Sequence, residues 1–204
     1  MNIVIFMGIC IISYFLGCFS TARMVAKSFR SINIYKIGSG LADTENIFSN
    51  ISKTLGILVA FIDASKVYLF LTFLKLLASW SDFVLFDISI MLFIIGAFMI
   101  AGHCLPVTHN FKGGRGQFIY IGLLLVIVPI PMLCIVIAAA LIIFFFKQIR
   151  FAQIMIVLLP PILSYIMGER FILGEERLIM LLMMIMALLM GVFNFALSKR
   201  LGEF

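Results

Sequence analysis

The chain has 204 residues, of which 64% are hydrophobic and only 12% are charged, and its formal net charge is +6. Soluble domains are about 45–50% apolar and about 25% charged, and a chain of this length cannot bury so large an excess of apolar surface. The composition therefore excludes a soluble enzyme, a disordered chain and a secreted disulfide scaffold, and it predicts an integral membrane protein. We expect no nucleic-acid partner, because lysine and arginine in membrane proteins mainly set orientation and contact lipid headgroups.

Apolar segments of about 20 residues, the length that crosses a bilayer as a helix, recur along the chain. Met1 and Asn2 bring no side-chain charge of the kind that opens a signal peptide, so the first apolar segment is expected to remain as a helix. The predicted spans are 3–19, 54–79, 84–102, two helices within 117–146, 152–168 and 178–197.

The segment 117–146 is too long for one span, and Pro129 and Pro131 lie inside it. Two prolines in three positions favour a break in a helix, so this segment is divided into two spans. The chain 1–204 is thus predicted to be a single all-α membrane domain with seven transmembrane helices.

The basic residues predict the orientation, because loops on the cytoplasmic side carry an excess of lysine and arginine. With the N-terminus outside, eleven basic residues fall in inside segments and two in outer loops, so the C-terminus is expected in the cytoplasm. The inside set is Arg23, Lys27, Arg30, Lys36, Lys53, Lys112, Arg115, Lys147, Arg150, Lys199 and Arg200. The outer loops carry Asp82, Asp87, Glu169, Arg170, Glu175, Glu176 and Arg177.

The metal-binding residue types are sparse. The four cysteines have no CxxC spacing and are interpreted as reduced, small apolar residues, and they are Cys10, Cys18, Cys104 and Cys134. His103 and His109 are too isolated to indicate a metal site, so we expect no metal ion.

Two glycine-rich segments on the predicted inner face are candidates for chemistry. We call Lys36-Ile37-Gly38-Ser39-Gly40 the first glycine segment and Phe111-Lys112-Gly113-Gly114-Arg115-Gly116 the second glycine segment. Glycine lets backbone N–H groups approach an anion, and lysine or arginine supplies the opposite charge. The second glycine segment also precedes a helix that begins at Gln117, and helix N-termini favour anions. A phosphate cradle is one interpretation, and a flexible loop with two orienting cations is the other.

Ionisable residues within or next to a span are also candidates. Asp63 and Lys66 share one helix face at i and i+3, and the spacing favours a structural ion pair over direct catalysis. His103 follows a span and precedes Pro106, where it could act as a base, donate to an anion or be a buried structural residue.

These residues resemble the motifs of the PlsY family of bacterial acyl-phosphate:glycerol-3-phosphate acyltransferases, in the family's order. Gly17 to Ala22 is similar to its first motif, and Gly38-Ser39-Gly40 through Asn46 lies where it has Gly-Ser-Gly-Asn-x-Gly-Ala-Thr-Asn. Lys53, Asp63 and Lys66 then align with its Lys and its Asp-x-x-Lys. Gly102-His103-Cys104-Leu105-Pro106-Val107 and the second glycine segment resemble its third motif, Gly-His-x-x-Pro-Val followed by Phe-Lys-Gly-Gly-Lys-Gly.

The resemblance implies a seven-span enzyme of the bacterial inner membrane that needs no cofactor and makes lysophosphatidate for phospholipid synthesis. Its implied substrates are acyl phosphate and glycerol 3-phosphate or another acceptor. The implied catalytic residues are Ser39 and His103. The implied substrate-binding residues are Lys36, Gly38, Gly40, Asn46, Lys112, Gly113, Gly114, Arg115 and Gly116.

Several residues depart from the family pattern on the side of the site that would receive glycerol 3-phosphate. They are Leu41, Asp43, Glu45, Ser49, Gln153, Asn194 and Leu197. Asp43 and Glu45 add negative charge where a phosphate should bind, and Ser49 stands where the family has an arginine suited to a phosphate.

These departures leave alternative functions open. The chain could be a repurposed relative that binds lipid or a partner membrane protein without turnover, or it could acylate a less anionic acceptor. A transporter is disfavoured because the sequence has no visible repeat.

Overall fold

The computed structural model describes residues 3–80, 87–168 and 176–202. The described residues form nine α-helices and two short 3-10 turns, at Ile34–Lys36 and Val107–His109. The α-helices are α1 (Ile3–Cys18), α2 (Thr21–Arg30), α3 (Thr44–Asn50), α4 (Lys53–Trp80), α5 (Ile88–Cys104), α6 (Gln117–Ile127), α7 (Pro129–Phe146), α8 (Ile149–Met167) and α9 (Glu176–Arg200). Four residues assigned to outer loops lie outside the described residues, namely Asp82, Glu169, Arg170 and Glu175.

Six helical segments in the described part of the chain are long and apolar enough to cross a membrane. They are Ile3–Phe29, Lys53–Trp80, Ile88–His109, Pro129–Phe146, Ile149–Met167 and Arg177–Arg200. The remaining predicted span is α6, whose 11 residues extend only about 16 Å at 1.5 Å per residue. A hydrocarbon core is about 30 Å thick, so α6 alone is shorter than a bilayer span.

The predicted break in the segment 117–146 falls at Val128. α6 ends at Ile127, and α7 begins with Pro129 as its first helical residue. Proline is accommodated there because the first N–H groups of a helix have no partner within it. The division into two helices therefore follows from the proline position.

α6 lies at the centre of the helical bundle, where it packs against α4, α5 and α7. Its large side chains Tyr120, Leu123, Leu124 and Ile127 are fully buried. Gly122 lets α6 approach α4 closely, because a β-carbon there would collide with the carbonyl of Ala64. Nine of the 11 residues of α6 are buried and Phe118 and Leu125 are half-buried, so protein rather than lipid surrounds most of this short helix.

Small residues hold α1 against α5. A β-carbon at Gly17 would collide with the carbonyl of Met99, and one at Gly102 would collide with that of Tyr14. Ser13 strengthens the contact by donating from its hydroxyl to the carbonyl of Ile95 at 3.0 Å. This packing fixes the last turn of α5, which carries His103.

The polar stretch between the first two long spans folds into two short helices. Ser20 begins α2 as its N-cap, accepting the N–H of Arg23 at 3.2 Å. α2 buries one apolar face, including Val25 and Ala26, in a small core shared with Ile47 of α3. The sequence analysis placed the glycine motif in this stretch but did not predict either helix.

Candidate functional site

The first glycine segment is held in a tight loop by Asn46. Gly38 and Gly40 have φ angles of +54° and +68°, in the left-handed region that glycine favours. The Asn46 side chain is buried and donates from Nδ2 to the carbonyls of Ile37 at 3.0 Å and Leu41 at 2.9 Å. Asn46, implied to bind substrate, thus directs its amide hydrogens to the loop backbone.

The second glycine segment packs its backbone onto the last turn of α5. A β-carbon at Gly113 would collide with the carbonyls of His103 and Cys104. One at Gly114 would lie 2.8 Å from Nε2 of His103 and 2.7 Å from the β-carbon of Asp43. The N–H of Gly114 donates to the carbonyl of His103 at 3.1 Å. These glycines are therefore required by close packing, and a flexible loop does not describe the segment.

The two glycine segments meet through backbone contacts. The N–H of Ala42 donates to the carbonyl of Gly113 at 3.3 Å. The hydroxyl of Tyr35 donates to the carbonyl of Lys112 at 3.2 Å. Two motifs about 70 positions apart along the chain therefore form one continuous surface.

Arg115 joins the same two regions through its side chain. It is buried, and its Nη1 lies 3.3 Å from Oδ2 of Asp43 and 2.8 Å from Oε2 of Glu45. Asp43 also begins α3, because its Oδ1 accepts the N–H of Asn46 at 2.9 Å. The two carboxylates that depart from the family pattern are thus paired with the arginine that the resemblance assigns to substrate.

Burial of Asp43 opposes its ionisation. Burial raises the pKa of this carboxyl above its ordinary value of 3.8, and the nearby charge of Arg115 offsets that effect only in part. The contact between Arg115 and Glu45 is shorter than the one between Arg115 and Asp43. Asp43 therefore shares its cation with a closer competitor.

Glu45 is also bound by two residues of α8. Its Oε2 accepts from Nη1 of Arg150 at 3.0 Å and from Nε2 of Gln153 at 2.8 Å. Arg150 in turn donates to Oε1 of Gln153 at 3.0 Å. In the sequence, Arg150 contributes only to the predicted orientation, and the signal that could have linked it to the site was the joint change at Glu45 and Gln153.

A cavity of about 370 Å³ lies beside Glu45. The first glycine segment, α3, the start of α8 and the residue after α9 contribute to its lining. The lining residues are Gly38, Ser39, Glu45, Asn46, Ser49, Asn50, Arg150 and Leu201. Glu45 therefore both lines the cavity and binds the buried Arg115.

The other candidate residues differ in exposure. Lys36, Gly38 and Lys112 are exposed, whereas Ser39 is half-buried and its Oγ accepts the N–H of Leu41 at 3.4 Å. Gly40 is also half-buried and Gly116 is buried, with a φ of +75° just before α6. Ser39 lines the cavity, and the backbone carbonyl of Lys112 accepts from the hydroxyl of Tyr35 while the Lys112 side chain is exposed.

His103 and Asn194 both contact the second glycine segment, at Gly114 and Arg115 respectively. His103 is buried, and its Nδ1 has no hydrogen-bond partner among the described residues. Asn194, on α9, donates from Nδ2 to the carbonyls of Met190 at 2.8 Å and Arg115 at 3.4 Å. Asn194 therefore supports the backbone at Arg115.

Asp63 and Lys66 bind the junction between α1 and α2 to α4. Oδ1 of Asp63 accepts from Nζ of Lys66 at 2.8 Å and from the hydroxyl of Thr21 at 2.7 Å. Lys66 also donates to the carbonyl of Phe19 at 3.0 Å. The pair therefore binds a side chain of α2 and a backbone carbonyl just before it, and its structural role stays a prediction.

Metal-binding geometry is not found in the part of the chain that the structure describes, which contains no group of three His, Cys, Asp or Glu side chains close enough to hold a metal ion. All four cysteines are free. The site instead consists of backbone turns, cations, carboxylates and amides.

Comparison with known proteins relates this arrangement to one family. The family model described as "Glycerol-3-phosphate acyltransferase" matches residues 7–199. A curated glycerol-3-phosphate acyltransferase from Mycoplasma capricolum is 36% identical over 117 residues, which are 57% of this chain and 44% of that protein. One from Staphylococcus aureus is 28% identical over 175 residues, which are 86% of this chain and 87% of that protein.

The chain spans 44–54% of the length of the curated relatives that it matches from Mycoplasma and Dehalococcoides. The fold is also that of a solved structure. The crystal structure of PlsY (YgiH), an integral membrane glycerol 3-phosphate acyltransferase, in its glycerol 3-phosphate form, superposes with a TM-score of 0.73 at 21% identity. The match covers 96% of this chain and 88% of that one.

Proposed function

Because the chain belongs to the glycerol-3-phosphate acyltransferase family, we propose that it transfers an acyl chain from acyl phosphate to glycerol 3-phosphate in a membrane. The products are lysophosphatidate and inorganic phosphate. The observation that carries the proposal is the contact between the two glycine segments, in which the N–H of Ala42 donates to the carbonyl of Gly113. This contact places the lysine and arginine of the second glycine segment beside the turns of the first.

We further propose seven membrane crossings in the bacterial inner membrane, with the N-terminus outside and the C-terminus in the cytoplasm. α4 and α5 separate the two glycine segments along the chain, and two crossings return a chain to the same side. The contact between Ala42 and Gly113 supports that arrangement. Short α6 is then a crossing enclosed by protein. A reporter that is active only in the cytoplasm, fused after α5 or after α9, tests the orientation. Both fusions are expected to be active.

In the proposed reaction, the acceptor hydroxyl oxygen attacks the acyl carbon of acyl phosphate. The bond between that carbon and the phosphate oxygen breaks, an ester forms, and the hydroxyl proton ends on the departing phosphate. Positioning and charge stabilisation supply the catalysis. Lys112 and Arg115 would neutralise phosphate charge, Ser39 would donate to a phosphate oxygen at the cavity wall, and His103 would hold the second glycine segment in place.

Purified protein in detergent, supplied with acyl phosphate and glycerol 3-phosphate, tests the proposal through lysophosphatidate formation. Lys112→Ala is expected to lose nearly all turnover. Lys27→Ala is the matched control, because Lys27 is an equally exposed lysine on α2, outside the glycine segments. Equal turnover of the two variants would contradict a role for Lys112.

A second candidate function is a relative without turnover that binds lipid or a partner membrane protein. The observation that favours it is the carboxylate of Glu45, which occupies donors of Arg115 and Arg150. Binding of acyl phosphate without product, even at high enzyme concentration, would support this candidate over the acyltransferase.

A further inference from the structure

Three donors from two distant parts of the chain converge on one oxygen of Glu45. Arg115 and Gln153 each lie 2.8 Å from Oε2, and Arg150 lies 3.0 Å from it. Two guanidinium groups and an amide form a donor set suited to a carboxylate or a phosphate, because charge-assisted hydrogen bonds to anions are the strong ones. The protein therefore contains an anion site whose present occupant is its own side chain.

This occupant lies at the boundary of the cavity. Glu45 and Arg150 both line the cavity, whereas Arg115 is not among its lining residues and is almost fully buried. The side chain of Glu45 is 18% exposed, compared with 4% for Arg115. An anion that enters from the cavity thus meets the carboxylate before it reaches the buried guanidinium.

Both guanidinium groups already contact carboxyl groups of the chain. Arg115 contacts Asp43 and Glu45, and Arg150 contacts Glu45. An entering phosphate would face a like charge at Glu45, and like charges at close range disfavour each other. The same donors become available if the carboxylate moves away.

We propose that Glu45 is a specificity-determining residue that competes internally with the phosphate of the acceptor for Arg115, Arg150 and Gln153. This inference rests on the proposed function, because it assigns the donor set to the acceptor's phosphate. It predicts weak binding of phosphate monoesters by the natural chain. Neutralising Glu45 releases the donors without changing the fold around them.

Isothermal titration of the purified full chain in neutral detergent, with inorganic phosphate and with glycerol 3-phosphate, tests the inference. Glu45→Gln keeps the size of the side chain and removes its charge, and we expect it to bind both anions about tenfold more tightly than the natural chain. Glu45→Thr, a second neutral variant, is expected to change in the same direction. Asp87→Asn is the matched control, because it also neutralises a carboxylate, but one that caps the N-terminus of α5, at the other end of that helix from His103.

Unchanged or weaker anion binding in both neutral variants would overturn the inference. Failure of both to fold would also overturn it, because a carboxylate that the fold requires is not a displaceable competitor. The titration contains no acyl donor, so it is independent of turnover. Tighter binding without lysophosphatidate formation supports the inference and contradicts the proposed function, whereas turnover with unchanged binding does the reverse.

Discussion

Gly114 lies so close to His103 that a β-carbon at residue 114 would come within 2.8 Å of the imidazole Nε2. The two are also joined by the hydrogen bond from the N–H of Gly114 to the carbonyl of His103. The last turn of α5 and the second glycine segment thus meet through a position where only hydrogen fits. The same contact brings Asp43 and Ala42 against the second glycine segment, so the position ties three parts of the site together.

Gly114→Ala is expected to displace either His103 or the second glycine segment. We expect a loss of stability of about 1–3 kcal/mol, as for overpacking elsewhere, together with a large loss of turnover. Gly191→Ala in α9 is the control, since a β-carbon there meets nothing within 4 Å. Thermal unfolding and lysophosphatidate formation measure the two effects, and a Gly114→Ala protein as stable and active as the control would contradict the packing described.

Asn46→Ala tests whether Asn46 serves the loop. The substitution leaves the carbonyls of Ile37 and Leu41 without their donor, which should cost about 1–3 kcal/mol. Gln148→Ala removes an exposed amide that makes no capping hydrogen bond to α8, and its effect should stay within about 0.5 kcal/mol. Unfolding midpoints of the two variants provide the comparison. A stable Asn46→Ala protein with weakened substrate binding would instead assign Asn46 to direct substrate contact.

We expect the difference in stability between the Asp43→Asn variant and the natural chain to depend on pH. Burial raises the pKa of Asp43, so the folded chain holds this proton more tightly than the unfolded chain does. The resulting stabilisation is complete below the ordinary value of 3.8 and is lost as the pH rises through the folded pKa. Asparagine does not titrate, so the variant should gain stability relative to the natural chain as the pH rises.

Unfolding midpoints between about pH 4 and about pH 8 measure this difference. Asparagine also remains a good N-cap for α3, so the cap itself is preserved. A variant that loses relative stability as the pH rises would show that the Arg115 charge outweighs burial at this carboxyl.

Asp63 and Lys66 allow a double-mutant test of their structural role. Lys66→Met leaves the buried carboxylate of Asp63 without its cation, and breaking a buried pair in this way costs about 3–5 kcal/mol. The double variant Asp63→Asn/Lys66→Met should recover much of that stability, because both charges are gone. Unfolding midpoints of the natural chain and the two variants test this, and a Lys66→Met protein that stays stable but loses turnover would indicate catalysis.

Much of the fold follows from composition and proline position. Apolar length predicts the long helices, and Pro129 predicts where α7 begins. α2 and α3 were not predicted, because their apolar faces are too short to be recognised in the sequence and are buried only in the small core that they share with α4. α6 was predicted as a span, whereas the structure shows a helix of 11 residues that is mostly buried among its neighbours, so its crossing of the membrane stays a proposal.

The site was predicted in part. The glycine segments were identified from residue type and spacing. Their contact could not be predicted, because it depends on how α4 and α5, which separate them along the chain, pack in three dimensions. The role of Arg150 could not be predicted, because its partner Glu45 is 105 positions away. In the sequence, three departures from the motif are far apart or have no evident relation, namely Asp43, Glu45 and Gln153. In the structure, all three contact Arg115 or Arg150.

The most direct test of the central claim is the ratio of inorganic phosphate released to lysophosphatidate formed by the purified protein, with acyl phosphate and glycerol 3-phosphate as the only substrates. Acyl transfer to glycerol 3-phosphate predicts one phosphate for each ester, with neither product formed when glycerol 3-phosphate is omitted. Phosphate release without ester, or bound acyl phosphate with neither product, would contradict the account.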